Sequence, residues 1–167
     1  MVEIALILSC GIFCVISIIN SRSGIKRSIR QRMLDIVNCA SGSLNGDVLA
    51  GFTTDSVGTP EYNTVYDKLA VFRDNAELEY IYAIKQEGED KYIFTLDTDP
   101  NGAASYGDEV VLTQALRTAG KGTAAVDEVP YTDEWGTFYS AYSPVFDSSG
   151  NVAGIIAADF SSDWFNS

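Results

Sequence analysis

Histidine is absent from all 167 residues, which excludes Ser–His and Cys–His nucleophile systems, histidine-based zinc hydrolase motifs and imidazole acid–base chemistry. Cysteine is scarce: Cys10 and Cys14 lie in an apolar run and Cys39 stands alone, so no disulfide framework can be drawn for the polar part of the chain. Basic residues are also few. Against 23 acidic side chains there are 11 Lys and Arg, giving a formal charge of -12. Residues 1–40 hold five basic and two acidic side chains, so the remainder has six basic against twenty-one acidic. Such a surface makes nucleic acid a poor partner, because phosphate binding needs clustered Lys and Arg. Apolar residues are not lacking, and a 46% hydrophobic content supports one ordinary domain with a genuine core plus an accessory segment.

The accessory segment is N-terminal. Residues 4–19 form an uncharged run of sixteen, interrupted only by Ser9, Gly11 and Ser17, and followed by Arg22, Lys26, Arg27, Arg30 and Arg32. A membrane span over residues 1–20 is the reading adopted, although sixteen falls just short of the usual ~17–25 residues. A cleaved signal peptide fits less well, since a charged start and a small-x-small site are missing, and lipid attachment at Cys10 is disfavoured by the bulky Leu8. Counting Lys and Arg alone places the C-terminal side in the cytoplasm.

Ile25, Ile29, Met33, Ile36 and Val37 recur at spacings of three and four, so residues 21–50 read as a helical stalk with one apolar face, able to dimerise or pack on the domain. A break is expected at 41–46 and a loop at 53–60, before a helix over 61–75 presenting Tyr62, Val65, Tyr66, Leu69 and Phe72. From Leu78 the period changes to two, which predicts a hairpin turning at 88–90 into 92–96. A helix over 108–119, a strand over 123–129 and a closing hairpin of 136–146 with 151–160 complete the order. The expected class is α+β: a five-stranded antiparallel sheet flanked by helices, occupying residues 51–167.

Few motifs carry chemistry. Gly120-Lys121-Gly122 lacks the Ser or Thr of a phosphate loop, and position 115 is Ala where that loop needs Gly. Asp97, Asp99, Asn101 and Asp108 reproduce calcium-loop spacing, but position twelve is Asp instead of the bidentate Glu and a strand precedes the loop. Turn chemistry, with these side chains bonding backbone amides, competes with ion binding there. Aromatics crowd the strands: Tyr80, Tyr82, Tyr92, Phe94, Tyr131, Trp135, Phe138, Tyr139 and Tyr142. Many of them serve packing, yet a wall of hydroxyl-tipped rings is also what small ligands find. Asp159 ends the apolar run Ile155-Ile156-Ala157-Ala158, and a buried acid needs a partner or is forced neutral. It either caps the amides of 161–163 or meets a ligand; Asp133 is likewise a turn former or a ligand acceptor.

Tyr80-Ile-Tyr82, Phe94-Thr-Leu-Asp97, Gly120-Lys-Gly122, Pro130-Tyr-Thr-Asp133, Trp135-Gly136, Ser140-Ala-Tyr-Ser-Pro-Val145 and Gly150-Asn-Val-Ala-Gly154 through Asp159, in this order after an apolar run and a long helix, resemble a Cache domain of the single-module type. The resemblance covers residues 21–165. It implies a PAS-like extracytoplasmic sensor of a membrane receptor, with no enzymatic activity and no cofactor in this chain, whose output is a histidine kinase, a diguanylate cyclase or a chemotaxis system. By the same resemblance, Tyr131, Asp133 and Asp159 contact a ligand amine; the aromatic wall, on which the two-residue period sets Phe138, Ser140 and Tyr142 on one face, adds Tyr142, Trp135 and Tyr82 as candidate ligand contacts. The ligand class stays open between amine, amino acid and carboxylate. Between Asp99 and Val129 the only basic residues are Arg117 and Lys121 and there is no Trp, so the likeness does not extend to an amino-acid carboxylate clamp. The alternative is a non-ligand-binding module of the same fold with a collapsed pocket, used only to form a homodimer or to contact another protein.

Overall fold

A computed structural model describes residues 2–133 and 135–162, without the side chains of residues 2–9, 12, 15, 18, 19 and 22. The chain divides into two units, Met1–Arg32 and Met33–Ser167. The first helix, α1, runs Val2–Gly42. Among the described residues no helix is long and apolar enough to cross a membrane. Many side chains of the span expected over 4–19 lie outside those described. The second unit begins inside α1, because Met33, Val37 and Ala40 are fully buried in it. The final turns of the expected stalk therefore belong to the domain core.

Beyond α1 come a short helix α2 (Gly46–Ala50) and helix α3 (Pro60–Asn75). Thr59 caps α3 by accepting from the Tyr62 amide at 3.3 Å, and Pro60 supplies the fixed φ suited to a first turn. Strands β1 (Tyr80–Gln86) and β2 (Tyr92–Asp97) form the expected hairpin. Helix α4 (Gln114–Gly120), β3 (Ala125–Val126), β4 (Tyr131–Thr132), β5 (Thr137–Phe146) and β6 (Val152–Ser161) follow. The strand order is β2-β1-β6-β5-β3, with β4 also pairing with β5. Five strands thus form the path of the sheet as expected, and β4 adds a sixth. In the β5–β6 turn, Gly150 takes φ +83°, which a side chain would resist.

Besides the added β4, three elements differ from the sequence reading. The helix expected from Asp108 starts only at Gln114, because the stretch before it lies along the open edge of β2. There the Phe94 amide donates to Asp108 O and the Val110 amide to Tyr92 O, each at 2.9 Å. An edge strand's unpaired amides compete well for such a segment. The strand expected over 123–129 is reduced to β3, and α2 was not foreseen.

Alternation along the strands gives the sheet two faces. Ile81, Ala83, Ile156, Ala158, Ala141 and Ser143 share one face, and Met33, Val37, Leu49, Val65 and Leu69 of the N-terminal helices are buried with them. The other face carries Tyr82, Ile84, Ile155, Ala157 and Tyr142, in one cluster with Ala115, Leu116 and Ala119 of α4. The candidate site opens on this second face.

Candidate functional site

Register brings the site together. Asp159 of β6 lies opposite Tyr80 of β1 on one side and Ser140 of β5 on the other. Its side chain points to the α4 face and is only 4% exposed. Three hydroxyls converge on a single carboxylate oxygen: Ser140 Oγ donates to Oδ1, as do Tyr82 Oη at 3.1 Å and Tyr131 Oη at 3.4 Å. Ser140 Oγ also lies 3.2 Å from Tyr131 Oη. Among the described residues no Lys or Arg pairs with Asp159, and Oδ2 receives no hydrogen bond. Burial pushes its carboxyl up to about 7, against the opposing effect of the Ser140 and Tyr82 hydroxyls. The same burial, with Asp159 beside it, raises the Tyr131 phenol.

Above Asp159 is a pocket with about 30 Å³ of free space, room for about two waters. Its apolar wall is built from Phe94, Val110 and Trp135, with Trp135 edge-on to Phe94 at 6.1 Å and Phe94 tilted against Tyr82 at 4.8 Å. Among the described residues five carboxylates line it, those of Asp97, Asp99, Glu109, Asp133 and Asp159, and no basic side chain does. Asp133 meets the pocket while its Oδ1 accepts from the amides of Trp135 at 2.9 Å and Gly136 at 3.1 Å, so it holds the turn that carries Trp135.

Of the residues singled out in the sequence, Asp159, Asp133, Tyr131, Trp135 and Tyr82 meet at this pocket. Tyr142 does not: it is fully buried one register step away, paired with Ala157 and Ala125. Asp97 and Asp99 line the pocket, whereas Asn101 and Asp108 do not. Their side chains hold the loop, since Asp97 accepts from the amides of Asp99 and Ala104, Asp99 from Asn101, and Asp108 from Ser105. Among the described residues no group of three or more acidic or cysteine side chains is arranged to hold a metal ion. Two further residues at the site are not singled out by the sequence: Ser140, whose only signal is its place in the motif before Pro144, and Glu109, which falls in the expected helix over 108–119.

No family model and no curated protein matches the sequence. The fold does match solved structures. The ligand-binding domain of the Campylobacter jejuni chemoreceptor Tlp3, in complex with 4-methylisoleucine, superposes with a TM-score of 0.59 at 13% identity, covering 87% of this chain and 56% of that one. The periplasmic sensory domain of C. jejuni Tlp1 gives 0.58 at 14% identity, covering 88% and 59%. The ligand-binding domain of the Pseudomonas aeruginosa amino-acid chemoreceptor PctC, in complex with GABA, gives 0.55 at 16%, covering 86% and 60%. This chain thus has the Cache, PAS-like sensor-domain fold, and it spans a little over half the length of these relatives.

Proposed function

We propose that the chain is the extracytoplasmic sensing domain of a membrane-anchored signalling receptor, and that its ligand is a small organic cation. Residues 1–20 would anchor it, and the helix that follows would carry the signal to a histidine kinase, a diguanylate cyclase or a chemotaxis output. The fold shared with chemoreceptor sensor domains supports the receptor part of this reading. One observation carries the ligand class: a buried carboxylate faces an aromatic-walled pocket that, among the described residues, is lined by five acids and no base. An uncompensated buried charge is costly, and an ammonium group placed on Oδ2 would relieve that burden while its alkyl part packs on Phe94 and Trp135. A free carboxylate ligand would meet like charge.

The test is a thermal-shift titration of the full chain with alkylamines and with matched alkylcarboxylates. Stabilisation by amines alone, lost in Asp159→Ala, is expected. Stabilisation by carboxylates but not by amines would overturn the ligand class. The small free volume favours a second reading, in which the aromatic wall stays closed and the fold serves as a dimerisation module. Under that reading no small molecule shifts the melting point, and the oligomeric state ignores Asp159→Ala.

A further inference from the structure

One wall of the Asp159 pocket is a loop. Between Thr98 and Gly107 the chain leaves the sheet, and Asp99, Gly102 and Ala104 of this stretch line the pocket on the α4 face. Its two ends are held. The Thr98 carbonyl accepts from the Tyr66 hydroxyl at 3.3 Å and from the Arg73 guanidinium, both on α3, and the Gly107 amide donates to Phe94 O at 2.9 Å. Between these ends the amides bond to side chains: those of Asp99 and Ala104 donate to the Asp97 carboxylate, and that of Ser105 to Asp108. Asn101, Gly102, Ala103 and Ser105 are exposed.

Tyr106 takes the same stretch round the edge of β2 to the opposite face of the sheet. Its hydroxyl donates to Phe52 O at 2.9 Å and accepts from Lys85 Nζ at 2.8 Å. The ammonium also lies 3.4 Å from Phe52 O and 5.4 Å from the centre of the Tyr106 ring. Phe52 follows α2, is 3% exposed, and has its ring 5.5 Å from that of Tyr62 on α3. Lys85 follows Ile84 on β1, so alternation turns it to the helical layer and away from the pocket. One phenol thus fastens a pocket wall to the helices behind the sheet. A hydroxyl that donates to a carbonyl and accepts from an ammonium is a strong tether for a loop whose own bonds are exposed.

We propose that residues 99–106 are the movable wall of the pocket, a strap that Tyr106 and Lys85 hold shut from the helical side of the sheet. The free space of about 30 Å³ takes about two waters, so an organic molecule enters only when a wall yields. Tyr80, Tyr82, Phe94 and Asp159 are fixed in paired strands. Release of the Tyr106 hydroxyl frees the strap to swing on its ends, and Gly107, at φ +97°, gives one end a backbone without side-chain hindrance. Because the latch closes on Phe52 O, a shift of α2 changes how readily the pocket opens, and an occupant that holds the strap out acts back on the helical layer. Access is governed this way whatever the class of ligand, so the strap stands or falls apart from the amine reading.

The test is thiol alkylation of the full chain by iodoacetamide with no ligand added. With Cys10, Cys14 and Cys39 replaced by Ser, Val110→Cys puts one thiol in the pocket wall, and Ala141→Cys puts one in the core on the far face. Both positions are buried, at 6% and 0% exposure. The Val110→Cys thiol is expected to react faster than the Ala141→Cys thiol and to be nearly indifferent to low urea, which is the mark of a local opening that exposes little surface. Tyr106→Phe removes only the hydroxyl and should speed the pocket thiol about ten-fold, still with little urea dependence. Equal rates for the two thiols would mean that the pocket opens only by global unfolding, and an unchanged rate in Tyr106→Phe would move the opening to the turn that carries Trp135. Either result overturns the strap and leaves the ligand class to its own titration. Should Val110→Cys not fold, hydrogen exchange of the Ala104 and Ser105 amides in the parent and in Tyr106→Phe decides by the same ten-fold difference.

Discussion

At the scale of single residues, the site is governed by the titration of Asp159. Its carboxyl sits at about 7 in the folded chain against an ordinary value of 3.8, so folding favours the protonated form. The sign follows: the acid's contribution to stability is complete below about 3.8 and is lost as pH rises through about 7. Asp127, raised to about 6, acts in the same direction. Asp159→Asn keeps the shape and removes the charge. It should be more stable than the parent by about 2 kcal/mol at pH 8, where the parent buries an anion, and the difference should vanish near pH 4. Urea denaturation at the two pH values checks this; equal stability at pH 8 would mean that the carboxylate is not desolvated. Ligand binding runs the other way. An ammonium requires the ionised acid, so amine affinity should fall about ten-fold per pH unit below 7 and be flat from 7 to 9. Calorimetry across that range, showing instead an affinity independent of pH between 5 and 7, would place the cation elsewhere.

At the scale of elements, the position of α2 depends on one glycine. A Cβ at Gly46 would lie 2.1 Å from Phe146 O and 2.8 Å from the Asp147 amide, both backbone atoms of the β5–β6 turn that cannot move aside cheaply. Gly46→Ala should therefore push α2 off the hairpin and cost about 3 kcal/mol in urea denaturation. A change below half of that would show the turn to be pliable. This contact also shows what the sequence could and could not disclose. Hairpins, α3 and the long α1 follow from periodicity within each segment, and they were legible. The course of 108–113 was not, because an amphipathic helical pattern there is overridden by the edge of β2, a partner distant in sequence. The site was legible in the same measure. Asp159 stands out because a charge ends an apolar strand, whereas Ser140 is an ordinary residue until register sets it beside Asp159. Tyr142 was placed on the ligand wall by its two-residue spacing from Ser140, and that spacing gives the correct face but not the depth beneath α4.

At the scale of the whole domain, β5 connects the two faces of the sheet. Ser140 holds Asp159 on the pocket face; three residues on, Ser143 points to the opposite face, where its Oγ donates to Asn38 Oδ1 at 2.8 Å and lies 2.8 Å from Ser41 Oγ. Asn38 and Ser41 belong to the last turns of α1. A cation on Oδ2 draws on the same carboxylate that the Ser140 hydroxyl holds through Oδ1, and any displacement of β5 reaches α1 through the buried Ser143. Binding can bias α1 only if its two placements differ in affinity for the ligand, and the bias is then reciprocal. Ser143→Ala should lower stability by about 1 kcal/mol, since it leaves the Asn38 and Ser41 side chains short of a partner. Amine affinity should stay within about two-fold, because Ser143 touches nothing in the pocket, while the coupling free energy at stake is of the ordinary ~1–3 kcal/mol. Hydrogen exchange of the α1 amides 33–42 reads the difference. In the parent chain, saturating amine should change their protection; in Ser143→Ala that response should be lost at equal occupancy. An undiminished response in the variant would move the path of communication from β5 to β1 and α3.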